Sequence, residues 1–426
     1  MTLRRLTALV LATSLLFAAG SARAGSLADV IPNLFGPDGI LLAPPPAGFS
    51  HAAHFRVDSR GELTNLNDAL RGQLSNFPIP SPASGFTFQL DPSVGVFTRS
   101  TESFGPIYAN RAETIGRGKL SLGFTYSHFT FDSLDGKDLH DGEVSLTFFH
   151  EQTGDMSGRP PFFFERDTLT AQIFANIESD VFVLTATYGL LSNLDLTLAV
   201  PIVRTSIDVK SIVQVNRLGT GPAGFPDIHT VEGGGDTKTF RASDESAGIG
   251  DIVLGAKYNF LRTKRVDLAA ALDLRLPSGD KDELRGVGSP RVRPSFIAST
   301  KVWRIAPHVN VGLDLGDTSD LEDEVFYNVG FDMAVFKPVT FAFDLLGRYV
   351  IDNSRPRAGS GPAVRRDFDP TQPSRRTSDD NLLNAAIGFK ANPWKNVLLL
   401  FNVLIPLNDT GLRDDITPLV GVEVTF

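Results

Sequence analysis

From residue 118 to the C-terminus, the chain repeats a unit of about ten residues in which apolar and polar side chains alternate, followed by a turn or a loop. In the last unit, Val420, Val422 and Val424 alternate with Gly421 and Glu423. Successive side chains of a β-strand point to opposite faces, so this strand has one apolar face and one polar face. The pattern predicts antiparallel β-structure over the whole region.

The connections between these units alternate in length. Short links lie near 191–193, 262–265, 304–305, 337–338 and 393–396, and long polar links lie near 216–247, 278–289, 317–323, 353–379 and 408–415. Short turns at one end and long loops at the other are typical of bacterial outer-membrane barrels, whose short turns are periplasmic. We therefore predict an all-β transmembrane antiparallel barrel of about 14 strands, within a range of about 12 to 16.

One stretch, 166–190, fits either a single long strand or a hairpin of two strands. The predicted strands begin near Lys119, Glu143, Asp167, Val181, Leu194, Gly248, Val266, Arg291, Ala306, Glu324, Val339, Asn381, Asn396 and Ile416.

The N-terminus has the three-part layout of a secretory signal peptide: Arg4 and Arg5, an apolar run from Leu6 to Ala19, and small residues at Ala22 and Ala24. Cleavage is expected near Ala24. A transmembrane anchor is the alternative, but it needs roughly 20 apolar residues in a row, and this run is shorter. The layout predicts export from the cytoplasm.

The final residue, Phe426, ends an alternating strand and resembles the C-terminal signal that delivers outer-membrane proteins to the barrel-assembly machinery. We therefore expect three regions: a signal peptide at 1–24, an N-terminal segment at 25–117 and the transmembrane barrel at 118–426. The expected location is the outer membrane of a Gram-negative bacterium.

The N-terminal segment lacks the strand alternation. Leu63, Leu66, Leu70 and Leu74 recur at helix spacing, which predicts a helix with one apolar stripe. Apolar residues on both sides of Asp91-Pro92-Ser93 predict a hairpin over about 84–98. The segment either folds into the lumen as a plug or adds a strand pair to the wall, and both alternatives are consistent with the sequence.

Composition narrows the function classes. The chain has 40 Lys and Arg against 49 Asp and Glu, and loss of three Arg with the signal peptide leaves 37 minus 49, or −12. An acidic chain without a basic stripe argues against nucleic acid as a partner. There is no Cys, so thiolate metal sites and thiol nucleophiles are excluded. Only 2 Trp and 6 Tyr are available for interfacial aromatic girdles, which the 32 Phe partly replace.

Motifs for chemistry are not evident. His51 and His54 have neither the spacing nor the neighbours of a metal site, and the chain has no Gly-x-Ser-x-Gly elbow. Gly233-Gly234-Gly235-Asp236 lacks the Lys-Ser/Thr of a phosphate-binding loop and is interpreted as an ordinary loop. We therefore expect no metal, no cofactor and no enzymatic activity.

Charged positions on the polar faces of the strands are the candidate site. If the apolar faces contact lipid, these side chains point into the lumen by parity, where ionisable groups avoid the cost of facing lipid. Two roles remain open for them: a solute pathway, or ion pairs between wall and plug. The predicted lumen-lining residues are Asp195, Asp251, Lys257, Asp267, Asp273, Arg275, Asp314, Asp332, Asp344, Arg348 and Lys390.

One long loop is rich in arginine, which suggests contact with lipopolysaccharide phosphates at the outer surface. Solvated loop charge without a ligand is the alternative. The arginines of this loop are Arg355, Arg357, Arg365, Arg366, Arg375 and Arg376.

Three phrases of the chain occur in order: Tyr-Gly-Leu-Leu-Ser-Asn-Leu-Asp-Leu at 188–196 with Ala-Val-Pro at 199–201, Gly-Ile-Gly-Asp-Ile-Val-Leu-Gly-Ala-Lys-Tyr at 248–258, and Leu-Asp-Leu-Arg-Leu-Pro-Ser-Gly-Asp at 272–280. Together they resemble an outer-membrane barrel family of transporters linked to the MetA pathway of phenol degradation, over about 112–426. A more distant resemblance is to outer-membrane transporters of long-chain fatty acids, although the Asn-Pro-Ala element of their plug is absent here.

The resemblance implies uptake of small, hydrophobic or aromatic compounds through a barrel embedded in the lipid bilayer. The residues themselves leave two alternatives open: an open, mildly cation-preferring diffusion porin, and a structural or adhesive barrel that acts through its extracellular loops. A stably buried N-terminal segment would favour the transporter.

Overall fold

The structure is a computed structural model. It describes residues 25–43, 53–55, part of 59–74, 78–81, 85–91, 96–99, 102–150, 166–218, 229–231, 235–317, 322–351 and 381–426. The predicted signal peptide and the arginine-rich loop at 353–379, with its predicted lipopolysaccharide contact, lie outside these residues. Within the described ranges, no helix is both long enough and apolar enough to cross a membrane.

Apart from helical backbone in 59–74, one short 3-10 helix, Leu27–Asp29, and a series of strands make up the described elements. The strands are β1 (Phe88–Asp91), β2 (Val96–Arg99), β3 (Leu120–Phe131), β4 (Ser133–Leu134), β5 (Lys137–Asp138), β6 (Val144–Phe149), β7 (Thr168–Leu191), β8 (Leu194–Asn216), β9 (Thr237–Ile249), β10 (Val253–Arg262), β11 (Val266–Arg275), β12 (Arg291–Thr300), β13 (Ile305–Gly316), β14 (Glu324–Phe336), β15 (Val339–Val350), β16 (Asn381–Trp394), β17 (Val397–Pro406), β18 (Leu412–Arg413) and β19 (Thr417–Thr425).

Most of the strands from β3 to β19 build an antiparallel barrel, while β4, β5 and β18 form a small separate sheet. The ring runs β7, β3, β19, β17, β16, β15, β14, β13, β12, β11, β10 and β8, and the pairing of β8 with β7 closes it. The described residues thus form a closed ring of 12 strands, with β6 and β9 added beside β7 and β8. The predicted barrel is confirmed, and its 14 large strands are divided between the ring and this addition.

The two longest strands rise above the ring. β7 has 24 residues and β8 has 23, against 10 for β10 to β12. At roughly 3.3 Å per residue, the β7–β8 hairpin is about twice as long as its neighbours. Its far half pairs with β6 and β9, and we call this four-stranded sheet the extension.

Two of the predicted strand and loop boundaries in the extension were wrong. The stretch 166–190 is one long strand, so no strand begins at Val181. The predicted loop at 216–247 includes β9, and the next ring strand begins at Val253 rather than Gly248. β9 escaped notice because Thr, Lys, Arg, Asp and Glu occupy both of its faces, so it shows no apolar alternation.

The outer face of the ring is apolar. Large hydrophobic side chains are exposed along its strands, among them Leu274, Val311, Val329 and Phe401. A contiguous exposed apolar surface of this size is unstable in water and needs lipid around it. A closed antiparallel barrel with an apolar outer band is the architecture of outer-membrane proteins.

The N-terminal segment packs at the long-loop end of the barrel. The described residues within 59–74 are helical, and Leu63, Leu66, Leu70 and Leu74 are at most 2% exposed. They share one hydrophobic cluster with the inward side chains of the extension. β1 and β2 form the predicted hairpin, but as a separate two-stranded sheet rather than part of the wall.

Candidate functional site

A stretch of irregular backbone, residues 103–115, lies against the inward-facing side chains of the ring, and we call it the inner segment. It has no helix or strand, so its peptide groups need partners from elsewhere. Polar side chains of β8, β10, β12, β13, β14, β15 and β16 supply hydrogen bonds or ion pairs to it. Seven strands of the wall therefore supply polar contacts to the inner segment, in addition to the apolar packing of its Phe104 and Ile107.

On one side of the lumen, Lys257 and Asp195 hold the end of this segment. Lys257 Nζ donates to the carbonyl oxygens of Glu113 at 2.6 Å and Arg111 at 3.1 Å. The Asp195 carboxylate accepts the backbone N–H of Ile115 at 3.0 Å and lies 3.7 Å from Lys257 Nζ. The Lys257 ammonium group donates to carbonyl oxygens and the Asp195 carboxylate accepts from a backbone amide. The two buried charges are therefore both paired and hydrogen-bonded.

The side chain of Arg111 forms a bidentate ion pair with Asp332 of β14. Its Nε donates to Oδ1 at 2.9 Å, and its Nη2 contacts Oδ2. The Asp332 side chain is fully buried and that of Arg111 is 4% exposed. Beside this pair, Asp344 accepts the backbone N–H of Tyr108 and contacts His308 Nε2 at 2.7 Å. The pair anchors the middle of the segment.

All these contacts lie in the half of the ring near the short turns. The rest of the predicted set lies mostly nearer the long loops, where Asp251 accepts backbone N–H groups at 279 and 287 and lies 3.4 Å from Arg275. Asp314 accepts from Arg291 at 2.6 Å, and Arg348 donates to Glu324 at 2.9 Å.

Burial of the eleven predicted residues follows the parity argument. Nine are buried, and Asp273 and Arg348 are half-buried. Five of them contact the inner segment: Asp195, Lys257, Asp332, Asp344 and Lys390. Asp267 instead accepts the N–H of Thr263 at the β10–β11 turn. A role of these eleven residues in guiding a solute through the lumen remains a prediction.

Above the inner segment, in the half near the long loops, lies a cavity of about 210 Å³. Its apolar lining includes Phe129, Phe131, Phe326, Leu346 and Leu404. The first two rings stack with centroids 5.9 Å apart, and a guanidinium lies 4.6 Å from the third ring. A cavity of about 150 Å³ suffices for benzene, so this one has room for a small aromatic molecule.

Charged residues also line the cavity. Asp273, Arg293, Asp314 and Arg348 line it, with Arg413 of β18 at the rim. Burial and, to a smaller extent, the nearby Arg348 guanidinium together lower the pKa of Arg413 to about 10, so Arg413 is still a cation at neutral pH. The cavity therefore combines an aromatic side with a side of hydrogen-bonding ions.

Sequence reasoning missed the partners supplied by the N-terminal segment. Arg111 and Glu113 belong to no strand pattern, so parity could not place them. Glu423 does alternate, and it accepts the backbone N–H of Gly85 at 3.0 Å, but its role was not assigned. Phe426, the proposed assembly signal, is 61% exposed and pairs through its backbone with Leu120 of β3.

Close packing of Gly116, the residue that follows the inner segment, against β7 gives a first testable prediction. A Cβ atom on Gly189 would lie 1.9 Å from the Gly116 carbonyl oxygen. Gly189→Ala should therefore lower the free energy of unfolding by about 1–3 kcal/mol, as overpacking does, measured by urea titration in lipid vesicles. Gly235→Ala is the matched control, because its Cβ meets nothing within 4 Å. Equal stability of the two variants would contradict this contact.

No curated protein matches the chain. Among solved structures, the chain is similar to the COG4313 outer membrane channel from Pseudomonas putida F1, at 13% identity and TM-score 0.43, covering 75% of this chain and 99% of that one. It is also similar to a Pseudomonas aeruginosa FadL homologue, at 14% identity and TM-score 0.35, covering 81% and 96%.

A third similar structure is the Ralstonia pickettii toluene transporter TbuX, at 13% identity and TM-score 0.34, covering 73% of this chain and 90% of that one. The family model described as "Putative MetA-pathway of phenol degradation" matches residues 165–410, more than half of the chain. This match spans β7 to β17. The chain therefore belongs to this MetA-pathway family.

Proposed function

We propose that the protein is an outer-membrane transporter for the uptake of small hydrophobic or aromatic compounds, exported with a cleaved signal peptide. The observation that carries this proposal is the division of the lumen into two halves. An aromatic-lined cavity lies near the long loops, and the inner segment is bound to the wall in the half near the short turns. In this arrangement a solute enters from outside and is held above a plug.

The chemistry of the cavity supports a small, largely apolar solute. Stacked Phe129 and Phe131 offer ring faces, and most ligand sites combine an apolar lining with a few fixed polar groups. The ion pairs at Asp314 and Glu324 already satisfy their charges, so they would orient a hydroxyl better than they would bind an ion. Family membership and the toluene transporter among the similar structures agree with this solute class. No enzymatic step is part of the proposal.

Uptake of a radiolabelled monocyclic aromatic, phenol or toluene, into proteoliposomes tests the function. We expect the wild-type protein to raise the uptake rate over empty vesicles, and Leu346→Trp to lower it at least several-fold because the indole fills the cavity. Leu346 is 8% exposed and faces the cavity. Leu274→Trp, on the exposed outer face, is the matched control and should keep wild-type uptake.

The same vesicles separate the transporter from an open pore. A plugged barrel should leave the permeability to glucose and to salt at the level of empty vesicles. If glucose and the aromatic compound pass at similar rates, and Leu346→Trp slows neither, the protein is a diffusion porin and the proposal is wrong.

A further inference from the structure

Three histidines from separate parts of the chain meet at the tip of the extension. His54 belongs to the N-terminal segment, His150 directly follows β6, and His229 lies in the β8–β9 connection. All three are buried, and one ring nitrogen from each lies within 4.8 Å of the others. His54 Nδ1 and His150 Nε2 are only 2.6 Å apart. We call this group the histidine cluster.

The surroundings orient the rings. His229 Nδ1 lies 2.8 Å from Oδ2 of Asp167, whose other oxygen accepts the backbone N–H of Leu218. A ring that donates through Nδ1 to a carboxylate turns its Nε2 lone pair away from it, here toward the cluster. Phe55 packs edge-on against His150 and His229, with centroids 5.5 Å from each. The histidine cluster is thus fixed on one side by a carboxylate and on another by an aromatic wall.

This arrangement has the chemistry of a transition-metal site. Three imidazoles with one open position are a known zinc set, and a carboxylate behind a ligating histidine is its usual support. Zinc–nitrogen bonds of about 2.0–2.1 Å place tetrahedral ligand atoms about 3.3 Å apart. The present separations, 2.6 Å to at most 4.8 Å, bracket that value, so small ring rotations suffice. Calcium and magnesium prefer oxygen ligands and fit poorly.

We propose that the histidine cluster binds one divalent transition-metal ion of the zinc class, with His54, His150 and His229 as ligands and Asp167 as the supporting carboxylate. The ion would join the N-terminal segment to both sides of the extension, because each ligand comes from a different piece of chain. The site stands apart from the lumen and does not depend on solute uptake.

Isothermal titration calorimetry tests the proposal: zinc chloride is titrated into the purified full-length protein in detergent, and the affinity and stoichiometry of zinc binding are measured. We expect one tight site per chain, and cobalt(II) as a probe should give the strong visible absorption of a tetrahedral nitrogen site. His150→Ala should weaken zinc binding at least tenfold, and zinc should raise the midpoint of thermal unfolding of the wild type but not of this variant.

Matched controls come from the remaining histidines. His128→Ala and His140→Ala, which lie outside the cluster, should bind zinc like the wild type. Asp167→Asn keeps all three rings and should weaken binding by about 10–100-fold, which keeps the test valid even if His150→Ala fails to fold. Absence of stoichiometric zinc binding to the wild type, or equal binding by Asp167→Asn and His128→Ala, would overturn the proposal.

Discussion

Asp332→Ala is expected to make the barrel conduct ions, whereas the wild-type protein should be silent in a planar lipid bilayer in salt alone. The substitution leaves the buried Arg111 guanidinium without its bidentate partner. Removing one member of a buried pair costs about 3–5 kcal/mol, and each 1.4 kcal/mol is about tenfold in an equilibrium. The equilibrium should therefore shift toward the displaced state of the inner segment by about two to three and a half orders of magnitude relative to the wild type.

Two controls separate loss of the plug from loss of the fold. The double variant Arg111→Met, Asp332→Leu replaces the pair by apolar side chains, which is often close to neutral, so it should stay silent. Arg204→Met breaks an exposed pair with Glu245 on the extension and should also be silent. If Asp332→Ala folds and shows no conductance, the inner segment is not held in place by this ion pair.

Val311→Arg should prevent or strongly impair insertion of the barrel into lipid vesicles. Val311 lies in the middle of β13 and is 47% exposed on the outer face. A lipid-facing arginine costs about 2–4 kcal/mol at the bilayer midplane and only about 0–1 kcal/mol near the interface. The expected loss of folding free energy is measured by urea titration in vesicles.

Phe336→Arg is the matched control, because Phe336 is also exposed but ends β14 at a short turn. The loss of folding free energy in Phe336→Arg should be small. The difference in this loss between the two variants reports how deep Val311 lies in the membrane. Equal costs would mean that β13 does not cross the bilayer as the apolar outer face indicates.

The sequence could predict the barrel because a period of two sets the face of every side chain on a regular strand. That is why the burial of Asp195 and Lys257 follows from counting along β8 and β10. Counting along a strand cannot identify the ion-pair partner of Asp332. This partner, Arg111, lies in irregular backbone, where side-chain direction follows no regular period. β9 was missed because charged or hydroxyl side chains lie on both of its faces, and such a strand is specified by its pairing with β8.

The histidine cluster shows a different limit of sequence reasoning. His54 and His150 are about one hundred residues apart in the sequence, and His150 and His229 are about eighty residues apart. Metal-binding motifs are recognised in a sequence by much shorter spacings. Their approach results from the pairing of β6 with β7 and β7 with β8, together with the packing of the N-terminal segment on that sheet. Only the tertiary structure brings such residues together.

The seam between β3 and β19 joins the first and last strands of the ring, and the inner segment immediately precedes β3 in the chain. The segment reaches side chains from β8 around to β16, so it must already be inside when the seam pairs, or thread through the finished ring afterwards. The simpler order is that the inner segment enters the lumen before β3 pairs with β19. Assembly would then fill the lumen and complete the wall in one step, and no empty barrel would exist as a free intermediate.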